Sequence, residues 1–224
     1  MTIQYYKDLI QGSDEWLNMR CGVLTASEMK HIITPSKLEY ATNDKSRAHL
    51  NEIIAQRITR FVEPHYISDD MLRGMNDEIE AKALYAKHYS HIDDMGFITN
   101  DKYGFVIGYS PDGMVGERGL IECKSRRSKY QIETIIKNKV PEEYILQLQT
   151  GLLVSEREWI DFISYCGGLP MYITRVHSDP KTQMAIVEAS AQFNKDVEKG
   201  IEVFTMNSSR FVKTERKVEQ EIMV

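Results

Sequence analysis

The stretch from Gly108 to Lys124 leaves the chain the fewest options. It reads Gly108-Tyr-Ser-Pro-Asp112, then a turn, then Gly119-Leu-Ile-Glu122-Cys-Lys124. Residues two apart in an extended strand share a face. Glu122 and Lys124 therefore point one way, while Ile121 and Cys123 point into apolar surroundings. Asp112 stands ten residues before Glu122, a gap that a hairpin closes. Two converging carboxylates can hold a hard divalent cation such as Mg²⁺, which takes oxygen ligands and keeps several waters. A lysine beside them can hold or activate a water, or offset charge building on a phosphate. Together these are the parts of metal-assisted phosphodiester hydrolysis. The same residues also describe a solvent-facing Glu122–Lys124 pair on an amphipathic strand, with Asp112 an ordinary Pro-Asp-Gly turn residue. Spacing alone leaves both readings open.

A chain of 224 residues is expected to form one domain, here 1–224, with a charged tail over about 210–224. Its hydrophobic fraction of 42% and charged fraction of 27% suit a soluble globular protein. The net charge of −5 means that any nucleic-acid site must be locally basic. Cys21, Cys123 and Cys166 are scattered with no C-x-x-C spacing, which argues against a zinc ribbon or an iron–sulfur cluster. They fit reduced cysteines in the cytoplasm. No basic-then-apolar leader and no run long enough to span a membrane is visible, so no membrane association is expected.

In chain order, residues 1–12 read as a short leader. Ser13 can cap a helix with Asp14 and Glu15 in its first turn, broken at Arg20-Cys21-Gly22. Thr25-Ala-Ser27-Glu28 has the form of a capping box ahead of Met29, Ile32 and Ile33. The N–H groups of such a helix start can bind an anion, with the Ser27 hydroxyl close by, although most capping boxes bind only themselves. Residues 34–43 read as loop. A helix from about Asp44 carries Leu50, Ile54, Ile58 and Phe61 and ends at Pro64.

A further helix over about Ser68–Tyr89 has Met75, Ile79, Ala83 and Ala86 as its apolar stripe. Glu78 and Glu80 flank Ile79, and at about 100° per residue only one of them can lean toward a site beside the core. Strands follow at 97–99, 103–109, 114–115 and 120–124. Lys124, Arg126, Arg127 and Lys129 form the densest basic run, suited to a polyanion. Pro141 opens a helix with Ile145, Leu148 and Leu152 toward the core and Tyr144, Gln147 and Gly151 on another face. Strands at 159–165 and 171–176 and a helix over about 180–207 complete an α/β (α+β) fold of helices packed on a sheet.

Five blocks, in order, resemble the phage lambda exonuclease family, the YqaJ-type viral recombinases of the PD-(D/E)XK nuclease superfamily. They are Gln11-Gly-Ser-Asp-Glu-Trp16 through Met19-Arg20-Cys-Gly22 to Thr25-Ala-Ser27-Glu28, Gly74-x-x-x-Glu78, Ser110-Pro-Asp112-Gly113, Leu120-Ile-Glu122-Cys-Lys124 and Tyr144-x-x-Gln147-x-Gln149. The resemblance spans roughly residues 11–155. It implies a restriction-endonuclease-like central mixed sheet flanked by helices. The implied activity is a Mg²⁺-dependent 5′→3′ exonuclease on double-stranded DNA, with two ions and with Mn²⁺ as a substitute. Such enzymes prefer 5′-phosphorylated ends, release 5′-mononucleotides and leave a 3′ single strand for recombination. The implied working form is a homotrimeric ring that feeds a single-strand annealing protein in the cytoplasm of a bacterial host.

By the same resemblance, Asp112, Glu122 and the main-chain carbonyl of Cys123 bind metal, and Lys124 positions or activates the attacking water. Glu78, chosen over Glu80 by the Gly-x-x-x-Glu spacing, sits near the second metal, and Gln147 helps to hold the site. Arg20, Ser27 and Ser110 form the 5′-phosphate pocket. The alternatives are an endonuclease on the same motif and a non-catalytic DNA-binding or annealing module.

Overall fold

A computed structural model describes residues 2–64 and 68–216. Its first half comprises β1 (Ile3–Tyr6), α1 (Asp14–Arg20), β2 (Leu24–Thr25), a 3-10 turn at Ala26–Glu28, α2 (Met29–Ile32), β3 (Ile33–Thr34), β4 (Glu39–Tyr40), α3 (Asp44–Thr59) and α4 (Asp69–His88). There follow β5 (Phe97–Asn100), β6 (Ile107–Tyr109), β7 (Gly113–Val115), β8 (Gly119–Ser125), α5 (Ser128–Lys137), α6 (Glu142–Ser155), β9 (Trp159–Tyr165), β10 (Tyr172–His177) and α7 (Pro180–Ser208).

The mixed α/β architecture expected from the sequence is present, with its strands divided between two four-stranded sheets. One has the order β1-β5-β6-β2 and the other β10-β9-β8-β7. Each combines antiparallel pairs with one parallel pair, β2 beside β6 and β8 beside β9. The chain passes from the first sheet to the second through Ser110-Pro111-Asp112, the segment between β6 and β7. α6 lies against strands of both sheets and is buried without a break from Leu148 to Ser155. α4 covers the opposite face of the second sheet, against β8 and β9, while α5 packs against β9 and β10 on the α6 side, where Gln131 meets Ser164. Strand β8 shows the predicted alternation: Leu120 joins the main core, while Ile121 and Cys123 join a smaller core beneath α4 with Ala81 and Tyr85.

The helix starts obey local chemistry. Ser13, Asn43 and Ser68 each accept the backbone N–H of the third residue onward, from Trp16, Ser46 and Met71. Asp179 caps α7, and Pro180 takes the first helical position, where its missing N–H costs nothing. α3 stops at Arg60 in the left-handed region (φ 54°), ahead of the expected end at Pro64, which leaves Phe61 outside the helix.

Three segments depart from the periodicity. Residues 3–6, expected as leader, form an edge strand paired antiparallel with β5, held by main-chain bonds that a polar Gln-Tyr-Tyr pattern does not advertise. Within the expected loop, β3 and β4 close a small hairpin. α5 was not foreseen because its buried residues are polar. Gln131 donates to the carbonyls of Ser164 and Pro170 and accepts from the Ser164 hydroxyl, whereas Ile132 and Ile136 face solvent.

The stripe assigned to α4 is also corrected. Met75, Ile79, Ala83 and Ala86 are exposed, and the packed face carries Ala81 and Tyr85 instead. The Tyr85 hydroxyl donates to buried Asp161 at 2.7 Å, and that polar anchor sets the rotation of the helix. The same rotation turns Glu78 inward and leaves Glu80 exposed. The charged tail is irregular through residue 216, and its remainder lies outside the described residues.

Candidate active site

The site begins where a ladder stops. Gly113 of β7 pairs with Ile121 of β8, so the next residue of β8 to present its N–H on that side is Cys123. In that register Cys123 lies opposite Pro111, whose carbonyl is already taken by Gln11 Nε2 at 2.9 Å. The Asp112 carboxylate fills the place, its Oδ2 accepting the Cys123 N–H at 2.6 Å. In an extended strand the N–H and C=O of one residue point to the same side. The Cys123 carbonyl is thus directed toward Asp112 with no β7 partner.

Glu122 points to the α6 side and is 2% exposed. Its Oε1 accepts Lys124 Nζ at 2.7 Å and Gln147 Nε2 at 2.5 Å, and its Oε2 accepts the Tyr109 hydroxyl at 2.7 Å. Burial, together with the charges of Glu122 and Asp112, pushes the Tyr109 phenol well above its usual range, so it stays a donor. Burial alone would favour a neutral Lys124 amine. Glu122 and Asp112 outweigh it and hold the ammonium form above its ordinary range.

Glu78 reaches the cluster from α4. Burial raises its carboxyl, Lys82 opposes that rise, and Glu122 adds to it. Burial likewise lifts Asp112 well above the carboxylate range, followed by repulsion from Glu122 and Glu78, with Lys124 and the Cys123 N–H pulling the other way. Asp112 and Glu78, crowded beside Glu122 until they resist ionising, are the donor chemistry that a hard cation relieves. Among the described residues no three His, Cys, Asp or Glu side chains form a metal cage on their own. Mg²⁺ does not need one, since it keeps waters and binds through one or two carboxylates plus phosphate oxygens. Asp112, Glu122 and the outward Cys123 carbonyl therefore fit the ion.

Arg20, Ser27 and Ser110 are brought into one connected chain of contacts. Arg20 Nη2 donates to Thr25 Oγ1 at 3.2 Å, and Thr25 Oγ1 lies 3.3 Å from Ser27 Oγ. The Arg20 guanidinium sits 4.1 Å over the Trp16 ring, whose Nε1 donates to Ser110 Oγ at 2.9 Å. Burial pulls the guanidinium below its usual value, with Glu28 opposing. It remains a cation, since arginine does not lose its proton in proteins. The Thr25–Glu28 capping box forms as read, but it opens a three-residue 3-10 turn instead of a full helix. Any anion held here depends on the arginine and hydroxyls more than on a helix dipole.

Two cavities flank the Thr25–Glu28 segment. One of about 1060 Å³ is lined by Trp16, Arg20, Thr25, Glu78 and Asp112 among others. The other, about 220 Å³, is lined by Ser27, Lys30, Lys124, Tyr144 and Gln147. The sequence-derived residues are thus split between two openings. The basic run is not the open patch its sequence suggests: Lys124 pairs with Glu122, Arg126 with Glu143 at 2.7 Å and Arg127 with Asp70 at 3.0 Å. Sequence reasoning missed Trp16, Thr25 and Tyr109 as members of the site. The signal for Trp16 and Thr25 is their place in the first block of the resemblance, and for Tyr109 its position directly before Ser110.

A split mixed sheet with acidic, lysine and glutamine side chains converging at one strand edge is a nuclease-type arrangement. The chain belongs to the YqaJ-like viral recombinase domain family, whose model matches residues 15–158. No curated protein sequence matches it. Among solved structures, an alkaline exonuclease (LHK-Exo) from Laribacter hongkongensis is 30% identical, with a TM-score of 0.78 over 88% of this chain and 99% of that one. The same protein in complex with dAMP gives a TM-score of 0.79 at the same identity and coverage. A phage-related exonuclease from Haemophilus somnus 129PT shares the fold at 14% identity, with a TM-score of 0.58 over 81% of this chain and 96% of that one.

Proposed function

We propose that this protein is a Mg²⁺-dependent 5′→3′ exonuclease on double-stranded DNA that prefers 5′-phosphorylated ends. It releases 5′-mononucleotides and leaves a 3′ single strand for recombination by strand annealing. The observation that carries the reading is the shared cavity: Arg20, a half-buried cation, and Asp112, a crowded carboxylate, line the same space. The similarity to an alkaline exonuclease, one of whose structures holds dAMP, supports a mononucleotide product.

In this reading Asp112, Glu122, the Cys123 carbonyl and, for a second ion, Glu78 would hold Mg²⁺. When bound, the ion supplies Lewis-acid polarisation of the scissile phosphate and a more acidic water. Lys124, kept as an ammonium by its carboxylate neighbours, orients the attacking water and offsets charge on the phosphate, a role that suits its protonated state better than general base. Gln147 and Lys124 share Glu122 Oε1 and keep that oxygen facing the α6 side. Arg20, with the Ser27 and Ser110 hydroxyls, receives the terminal 5′-phosphate through charge-assisted hydrogen bonds. Each cleavage creates a new 5′-phosphate for the same pocket. The working form is a homotrimeric ring in a bacterial host's cytoplasm, handing the 3′ strand to an annealing protein.

Digestion of linear duplexes ending in 5′-phosphate or 5′-hydroxyl, with and without Mg²⁺, tests the reading. Phosphorylated ends should be consumed faster and only with metal, while closed circular duplex stays intact. Cutting of the circle would indicate an endonuclease, and binding without nucleotide release a non-catalytic module. Full activity of Lys124→Ala or Glu122→Gln would remove the site assignment.

A further inference from the structure

Tyr109 stands outside every motif block yet reaches the centre of the site. It is the last residue of β6 in the first sheet, 1% exposed, and its hydroxyl donates to Glu122 Oε2 across to β8 in the second sheet. Glu122 Oε1 is shared by Lys124 and Gln147, whereas Oε2 has Tyr109 as its one recorded donor among the described residues. Orientation of the carboxylate about its own axis therefore depends on the phenol.

The fold makes room for that ring at a specific cost in sequence. Gly108, the preceding residue, turns toward Phe97 and cannot carry a side chain, since a Cβ there would meet that ring at 2.2 Å. Tyr109, next along the strand, faces the other side, toward α6, where Gly151 lies beneath it. A Cβ on Gly151 would meet the tyrosine ring at 2.8 Å. A large residue on β6 and an absent side chain on α6 are matched so that the hydroxyl arrives at Glu122.

We infer that Tyr109 is a positioning residue that fixes the Glu122 carboxylate for metal binding, with the gap at Gly151 as its mould. This rests on Glu122 being a metal ligand, as proposed above. Groups that hydrogen-bond a ligating side chain typically govern metal affinity or activity by about 10–100-fold.

The test is Tyr109→Phe, which keeps the ring and removes only the donor. Mn²⁺ binding to the DNA-free protein is measured by calorimetry beside wild type and Glu122→Gln, with folding checked by thermal unfolding. The expected result is Mn²⁺ affinity lowered about 10–100-fold, and a matching rise in the Mg²⁺ concentration needed for half-maximal digestion. KM for 5′-phosphorylated duplex at saturating Mg²⁺ should stay unchanged, a split that general loosening of the fold would not give. Gly151→Ala, which displaces the ring from α6, should reproduce the metal defect and add little to Tyr109→Phe. It also carries the test if the phenylalanine variant does not fold. Wild-type Mn²⁺ affinity in folded Tyr109→Phe, beside weakened affinity in Glu122→Gln, would overturn the inference and leave the metal site standing. Wild-type affinity in both would overturn the metal reading together with it.

Discussion

Asp112 and Cys123 are joined through the carboxylate Oδ2, which accepts the Cys123 main-chain N–H at 2.6 Å across eleven residues of chain. One side chain thereby closes the edge of β8 and, in the proposed function, also serves as a metal ligand. These two roles can be separated. Asp112→Asn keeps an oxygen for the N–H and removes a charge that Glu122 and Glu78 repel. It should unfold at or above the wild-type temperature while losing Mg²⁺-dependent digestion. Asp112→Ala strands the N–H and should be less stable by about 1–3 kcal/mol. Thermal unfolding and a digestion assay on the same preparations check both.

Lys124→Ala should lower digestion about 10²–10³-fold, the scale for removing one preorganised electrostatic donor. Glu122 retains Tyr109 and Gln147 as donors in that variant, so the fold should survive. Single-turnover rates at saturating Mg²⁺ measure the loss.

Arg20→Gln addresses the terminal phosphate. A charged hydrogen bond contributes about 1.5–3 kcal/mol, so the advantage of phosphorylated over hydroxyl ends should shrink by about 10–100-fold. The rate on hydroxyl ends should hardly move. Loss of both rates in equal measure would place Arg20 outside a phosphate pocket.

Glu78 and Glu80 stand on one helix two residues apart, with Glu78 turned to the cluster and Glu80 in solvent. Glu78→Gln should raise the Mg²⁺ requirement, and Glu80→Gln should leave it unchanged. Titration of digestion rate against Mg²⁺ distinguishes them.

Asp112 and Glu78 both have carboxyls raised above their ordinary values in the metal-free protein. The folded state therefore holds their protons more tightly than the unfolded chain does. The stability they contribute is complete below the unfolded carboxylate range, near pH 4, and is lost as pH rises through the raised values. In chelator, raising the pH from about 5 to about 8 should lower the unfolding temperature by more in wild type than in Asp112→Asn. Added Mg²⁺ should stabilise wild type most at the upper end, because its ligands bind deprotonated. Unfolding scans across that window, with chelator and with Mg²⁺, check the sign.

Much of this site was legible because it lies on one hairpin. Strand alternation alone puts Glu122 and Lys124 on one face and Ile121 and Cys123 on the other, and the two cores confirm that division. The cap at Ser13 follows from side-chain chemistry within three residues of the helix start. Where polar groups form the buried face, the reading fails. α4 is turned by the Tyr85–Asp161 bond against its apolar stripe, and α5 buries Gln131 where a hydrophobic residue was sought.

The Gly108–Lys124 stretch by itself determined that Glu122 and Lys124 share one face of a strand, because a strand repeats every two residues whatever surrounds it. Tertiary structure decided the rest of the site. It turned Glu78 inward in place of Glu80, linked Arg20 to Ser110 through Trp16, and set Tyr109 in the space above Gly151. Those contacts join residues far apart in the chain, and they depend on how whole elements rotate and pack, which no local period records.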